Sequence, residues 1–260
     1  MMEKTPDEQP QPEAASPRER LEREKLTAED VDKLYDLLKV SAGILEMHDI
    51  RYTMEGGTLL GAVRNGGLIN HDNDADFDVM QADLGRILAL RPLFEMYGVE
   101  LIETPGWGLQ VAHTNSPSLA PGMWTDGERN WTSRWPFLDF IALEWVEGGA
   151  AGDGGYFLAQ DVARHDYPDY HLTRSDWEQP FERVAFGHLK LRAIGTEKAR
   201  HAYLDRSYKD WDTVIEMNMD HRTNLYFDQK IEVAIEAADR DHRPRSNAPT
   251  TLARSWPPGQ

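Results

Sequence analysis

Residues Asp74-Ala75-Asp76-Phe77-Asp78-Val79-Met80 alternate carboxylate and apolar side chains with a period of two. Only an extended strand sorts such a pattern cleanly, with three carboxylates on one face and Ala75, Phe77 and Val79 on the other. The apolar face must go inward. On the opposite face successive carboxylates stand about 6.6–6.8 Å apart at Cα, close enough for two side chains to hold one hard cation. Without such a cation they repel one another. Magnesium suits the arrangement, because it takes one or two carboxylates, keeps several waters and fills its shell with phosphate oxygens. Manganese is the natural substitute. A solvated turn is the plainer reading of an Asp-rich stretch, and the interleaved Ala75, Phe77 and Val79 weigh against it.

Upstream, Ile50 to Met54 reads as a short strand and Gly56-Gly57-Thr58 opens a helix over Leu59–Asn65, with Gly66 as its C-terminal stop. A Gly-Gly turn at a helix start leaves backbone N–H groups free for an anion. Arg64 lies later in the helix and Asp72 just ahead of the carboxylate strand, so phosphate and metal ligands fall within one stretch. A helix-loop-helix calcium site would place Asp72, Asp74 and Asp76 at positions 1, 3 and 5, but it needs Gly at the sixth position and Glu at the twelfth. Those positions hold Phe77 and Asp83, which excludes it.

The chain has 260 residues, enough for one large domain with a sizeable core. Its formal charge of −17 disfavours nucleic acid or an anionic membrane as a partner. An anionic nucleotide would need locally placed Arg, Lys or metal. There is no cysteine, so disulfide and thiol chemistry are excluded. No apolar signal core or run of membrane length occurs, so a soluble, cytoplasmic protein is expected.

Residues 1–26, with Pro6, Pro10, Pro12 and Pro17 among many charges, read as a disordered leader, and the tail over 241–260 reads likewise. The domain between them spans 27–240. Thr27 and Asp30 form a capping-box pattern ahead of a packing helix carrying Val31, Leu34, Leu38 and Leu45. Asp83 is placed to cap a helix that Pro92 interrupts and Gly98 ends. Val99–Ile102 and Trp107–His113 read as a hairpin. Residues 114–134 form a long loop with Trp124, Trp131 and Arg134, suited either to stacking a base or acceptor or to packing the loop down.

Trp135 to Leu143 is an apolar strand with one charge, Asp139, on the face of Phe137 and Ile141. A buried lone carboxylate needs a pairing arginine or a metal, and residues alone leave both open. Glu182–Ala193 suggests two strands around Gly187-His188, with Lys190 and Arg192 on one face, either solvated or reaching phosphates. Tyr226–Arg240, with Ile231, Ala234, Ile235 and Ala238 at helical spacing, reads as a last helix.

The run Gly56-Gly57-Thr58-Leu59-Leu60-Gly61-Ala62-Val63-Arg64, then Gly67-Leu68-Ile69 and Asp72 to Asp76, resembles the signature of the LicD family of the nucleotidyltransferase superfamily, which includes fukutin and fukutin-related protein. The family pattern Pro-Trp-Asp-Asp-Asp-x-Asp is here Asn70-His71-Asp72-Asn73-Asp74-Ala75-Asp76. His71 thus replaces the aromatic and Asn73 the middle Asp, while the alternating metal pair is kept.

The resemblance implies an α+β fold, a nucleotidyltransferase-type mixed β-sheet with flanking helices. It also favours Asp139 as the third acidic residue beside the metal pair, as ligand or as base. The implied chemistry is Mg²⁺-dependent transfer of a phosphorylated alcohol, phosphocholine or ribitol phosphate, from a CDP-linked donor to a hydroxyl of a small molecule or glycan. Asp74, Asp76 and Asp139, with Asp72 beside them, would hold the metal. Gly56, Gly57, Thr58, Arg64 and Lys190 would bind the nucleotide phosphates, and Asp78 would orient the metal ligands or serve a second metal. Two other readings fit the same residues: transfer of NMP from an NTP to a small acceptor, and a catalytically silent nucleotide-binding scaffold.

Overall fold

The computed structural model describes residues 15–119, 133–148, 154–167, 170–223, 225–250 and 252–254. Trp124 and Trp131 lie outside them. The chain opens with α1 (Pro17–Arg23) and the 20-residue α2 (Ala28–Met47), which starts at the expected box: Thr27 accepts from the Asp30 backbone and Asp30 reaches back to Thr27. Then come β1 (Tyr52–Met54), α3 (Gly56–Arg64) and β2 (Ala75–Met80). Next, α4 (Leu84–Ala89) and α5 (Arg91–Met96) are separated where Pro92 enters the first turn of α5, and the hairpin β3 (Val99–Thr104) and β4 (Gly108–His113) follows. Asp83 does not cap α4; it pairs with Arg86 at 2.6 Å.

The second half contains β5 (Phe137–Val146), β6 (Gly155–Leu158), α6 (Asp161–Asp166), β7 (His171–Leu172) and α7 (Arg174–Glu178). After these come the pair β8 (Glu182–Phe186) and β9 (Leu189–Ala193), then α8 (Glu197–Ser207), and last the pair β10 (Val214–Asp220) and β11 (Leu225–Ala234).

The main sheet runs β1-β2-β5-β4-β3, with β6 and β7 continuing along the far half of β5. Among the described residues of this sheet only β2 and β5 pair in parallel; the other ladders are antiparallel. This mixed sheet with flanking helices is the fold class expected. One face is apolar: Phe77 and Phe140 lie 6.4 Å apart between ring centroids, Phe94 of α5 meets Phe140 edge-on at 6.2 Å, and α2 covers β4 and β5.

The expected helix over Tyr226–Arg240 is corrected by the structure. Residues 225–234 are β11, antiparallel to β10, and only Ala237–Arg240 turn as a short 3-10 helix. Ile231, Ala234, Ile235 and Ala238 fit a helical stripe, but Phe227, Ile231 and Val233 also fit a period of two. That second period is used, packing these residues around Leu21 and Ile215.

Chain on both sides of 27–240 packs on this body. Asp32 and Asp36 of α2 are 3% exposed, deep for carboxylates, and the segment after Arg243 answers them. Ser246 donates its backbone N–H to Asp32 at 2.7 Å, Arg245 pairs with Asp36 at 3.2 Å, and Thr250 donates to Asp36 at 2.8 Å. Buried charges need such partners.

Candidate active site

Sheet register assembles what no single strand contains. Asp76 on β2 is opposite Asp139 on the parallel β5, and Gln110 on β4 is opposite Asp139 from the other side. Opposed residues share a face, so Asp76, Asp139 and Gln110 form a row across three strands, in steps of about 4.8 Å. Gln110 Nε2 donates to Asp139 Oδ1 at 3.0 Å, and Ser133 Oγ donates to Gln110 Oε1 at 2.6 Å. The ionised carboxylate only accepts, which turns the amide nitrogen toward it and leaves the amide oxygen to the serine hydroxyl.

The start of α3 closes in on this row. Gly56 has φ +52°, in the left-handed region glycine favours. A Cβ on Gly57 would lie 2.3 Å from Asp72 Oδ2, so only glycine lets the helix start approach that carboxylate. Glu55, Asp72, Asp74, Asp76 and Asp139 line one cavity of about 730 Å³, where the cationic side chains among the described lining residues are Arg64 and Lys209. The size suits a nucleotide-sized ligand.

With Glu216, which pairs with Lys230 at 3.1 Å, six carboxylates face two cations among the described lining residues and leave the cavity short of positive charge. Burial, reinforced by neighbouring carboxylates, pushes Asp72, Asp74 and Asp139 each up to about 7. Asp76 is raised well above the usual range by burial and then by Asp74, and burial raises Glu55. An ionised cluster here calls for a bound cation.

The expected site residues separate into groups. Asp72, Asp74, Asp76, Asp139, Gly56, Gly57 and Arg64 all line the cavity. Arg64 is anchored, donating to the Trp211 carbonyl and to Asn65 Oδ1, both at 2.9 Å. Burial lowers its pKa while Asp72 opposes that. Thr58 is buried and does not line the cavity; its hydroxyl accepts from Asp76 N at 2.9 Å and ties α3 to β2. Lys190 is exposed on β9, away from the cavity lining, and its neighbour Arg192 pairs with Glu46 at 3.5 Å. Asp78 shares the face of Asp76 but is sealed off, accepting from Tyr170 Oη at 2.6 Å. His71 is buried in the cavity wall, its pKa pushed down to about 4 by burial and then by Arg64.

Three contributors had no signal in the sequence. Glu55 is buried at the β1–α3 junction and accepts from Tyr203 Oη at 2.6 Å, a partner 148 positions away. Tyr208, at the end of α8, stands beside Gly56 and the carboxylates. His221 follows β10 and reaches the loop before β2, with Nε2 3.4 Å from Asp74 Oδ2.

The donor set fits a hard divalent cation, since Asp72, Asp74, Asp76 and Asp139 offer only carboxylate oxygens. Among the described residues no group of three or more His, Asp or Glu side chains is placed to hold a metal ion by itself. An ion held by one or two carboxylates, with water and phosphate oxygens completing its shell, needs none.

A mixed sheet carrying a row of acids beside a glycine-started helix defines a nucleotidyltransferase-type domain. The chain belongs to the family described as the LicD/FKTN/FKRP nucleotidyltransferase domain, whose model matches residues 49–193. An uncharacterized protein of Rickettsia prowazekii is 35% identical over 80 residues, 31% of this chain and 30% of that protein. The ribitol 5-phosphate transferase FKRP of Homo sapiens is 40% identical over 58 residues, 22% of this chain and 12% of that protein. The matched stretches thus span less than a third of these relatives. The crystal structure of the lincosamide antibiotic adenylyltransferase LnuA, lincomycin-bound, overlaps 72% of this chain and 92% of its own, with 15% identity and a TM-score of 0.35. Among the described residues no helix is long and apolar enough to cross a membrane.

Proposed function

We propose that this chain transfers a phosphorylated alcohol, such as phosphocholine or ribitol phosphate, from a CDP-linked donor to a hydroxyl of a sugar or related acceptor. The observation that carries this reading is the Asp76–Asp139 pairing in register across β2 and β5, with Asp72 and Asp74 on the same cavity. Asp74 and Asp76 would hold Mg²⁺ or Mn²⁺, assisted by Asp139 and Asp72. The cation, when bound, offsets charge on the donor diphosphate.

The chain's own groups supply the rest. Backbone N–H groups at Gly56 and Gly57 face the diphosphate from the start of α3, a position that favours anions. Arg64, pinned by the Trp211 carbonyl, meets the charge that builds on the departing CMP. Asp139, oriented by Gln110, takes the acceptor's hydroxyl proton as its oxygen bonds to phosphorus and the bond to CMP breaks. Trp107, Phe137 and Tyr167 give the cavity an apolar wall against water. Positioning and charge neutralisation account for most of the rate, because the oxygen nucleophile is weak.

The test is calorimetric binding of CDP-choline, CDP-ribitol, CDP-glycerol, CTP and ATP, with and without Mg²⁺, to wild type and to the Asp74→Asn/Asp76→Asn double variant, followed by turnover with the donor that binds. Metal-dependent binding of one CDP-alcohol, lost in the double variant and followed by CMP release, is the expected result. Pyrophosphate release from an NTP would replace this reading with nucleotidyl transfer. Indifference of both proteins to every donor would leave a binding scaffold.

A further inference from the structure

His221 stands beyond residue 193, where the family match ends, yet its ring is set by the signature loop. The Asp220 carboxylate accepts from Arg222 Nε at 3.0 Å and from Asn73 Nδ2 at 3.2 Å. A carboxylate in an ion pair only accepts, so Asn73 must turn its amide nitrogen to Asp220 and its oxygen to His221. That oxygen lies 2.6 Å from His221 Nδ1. An amide oxygen also only accepts, so Nδ1 carries the ring proton. Nε2 is then the ring atom that faces the carboxylates of the cavity.

Nε2 is aimed at Asp74 Oδ2, 3.4 Å away. That is longer than a good N–H···O bond and is a separation at which both atoms can face one ion. Two ligands each about 2.0–2.2 Å from one ion, at angles between square and tetrahedral, are separated by about 2.8–3.6 Å. The Phe137 ring meets the imidazole at 88° with centroids 5.9 Å apart, which limits rotation away from this position. Asn73 is the residue this chain carries where the family signature has an aspartate. An aspartate would still accept from Nδ1, but it would oppose Asp220; the amide satisfies both neighbours.

We propose that His221 Nε2 is a nitrogen donor to the same divalent cation as Asp74, with Asn73 as the positioning residue that sets its tautomer. The inference rests on the cation reading above and extends it. An imidazole in the shell shifts the preference of the site from Mg²⁺ toward Mn²⁺, Co²⁺ or Zn²⁺. An amide holding the ring's other nitrogen is the outer-shell support that metal-bound histidines normally have.

The test uses the full chain, stripped of metal and loaded with Mn²⁺, alone and with CDP, and read by pulsed electron paramagnetic resonance. Wild type is expected to show nitrogen modulation from an imidazole, and His221→Gln, checked for folding by circular dichroism, to show none. By calorimetry His221→Gln should lose about 10–100-fold in Co²⁺ affinity with less than about a threefold change for Mg²⁺. Asn73→Leu should lose about tenfold for Co²⁺. If Mn²⁺ binds and Asp74→Asn abolishes binding, but the wild-type spectrum lacks nitrogen modulation, His221 is not a ligand and the cation reading stands without it. If Mn²⁺ fails to bind wild type in either condition, both readings fall together.

Discussion

Along β2 and β5 the two faces of one sheet follow opposite rules. Ala75, Phe77, Val79, Leu138 and Phe140 are fully buried against helices and rings. One residue over in each strand, Asp76 and Asp139 are set side by side with too little positive charge near them. The first face gains stability from every side chain it holds, whereas the second loses stability by holding like charges out of water. The lesson is that period-two alternation lets one strand serve both needs, provided register brings the strained face of one strand beside that of another.

Substitutions one residue apart sharpen this contrast. Asp76→Asn is expected to cut turnover by at least about 10³-fold, or ~4 kcal/mol in the barrier, while leaving the metal-free protein at least as stable as wild type in urea. Phe77→Ala should do the reverse, lowering unfolding free energy by about 3–4 kcal/mol while the folded fraction keeps its cation affinity. If Asp76→Asn unfolds as readily as Phe77→Ala, the acidic face is structural and the contrast fails.

A smaller effect comes from pH. Asp139 is raised to about 7 in the folded chain, against about 3.9 in an unfolded one. Between those values the folded state binds the extra proton, so its contribution to stability falls as pH rises from about 4 to about 7 and is flat above. In metal-free protein Asp139→Asn should therefore gain on wild type across that window, by about 1–3 kcal/mol at pH 7.5. Thermal melts in chelator would show it, and a gap independent of pH would refute it. Millimolar Mg²⁺ should narrow the gap.

The smallest expected change in stability is at Gly57→Ala. The nearest atoms its Cβ would meet belong to the end of the Asp72 side chain, which can turn aside, so unfolding free energy should move by less than about 1 kcal/mol. Cation and donor binding should weaken about tenfold as Asp72 is displaced; unchanged binding would remove Asp72 from the site.

The acidic face was legible because its signal is local. Asp74 to Met80 encode their own alternation, Asp139 stands alone in an apolar strand, and Gly56-Gly57 mark a helix start. The residues alone did not show that Asp76 and Asp139 face each other, since register between strands 63 positions apart is set by packing; the family resemblance is what placed Asp139 beside the metal pair. Glu55 and His221 were silent for the same reason: each gains its meaning from a partner about 148 positions away. Lys190 shows the converse, a cation at a plausible spacing whose strand pair lies elsewhere. β11 was misread because its apolar residues satisfy a helical and a strand period at once, and pairing with β10 decided between them.

The carboxylates of α2 have a consequence in time. Asp32 and Asp36 belong to α2, and groups that answer them lie 209 to 214 positions later. Until Arg245, Ser246 and Thr250 exist, that side of α2 lacks these partners for its buried carboxylates. Closure of the body on that side thereby waits for residues 245–250, and contacts of such long range make for slow folding.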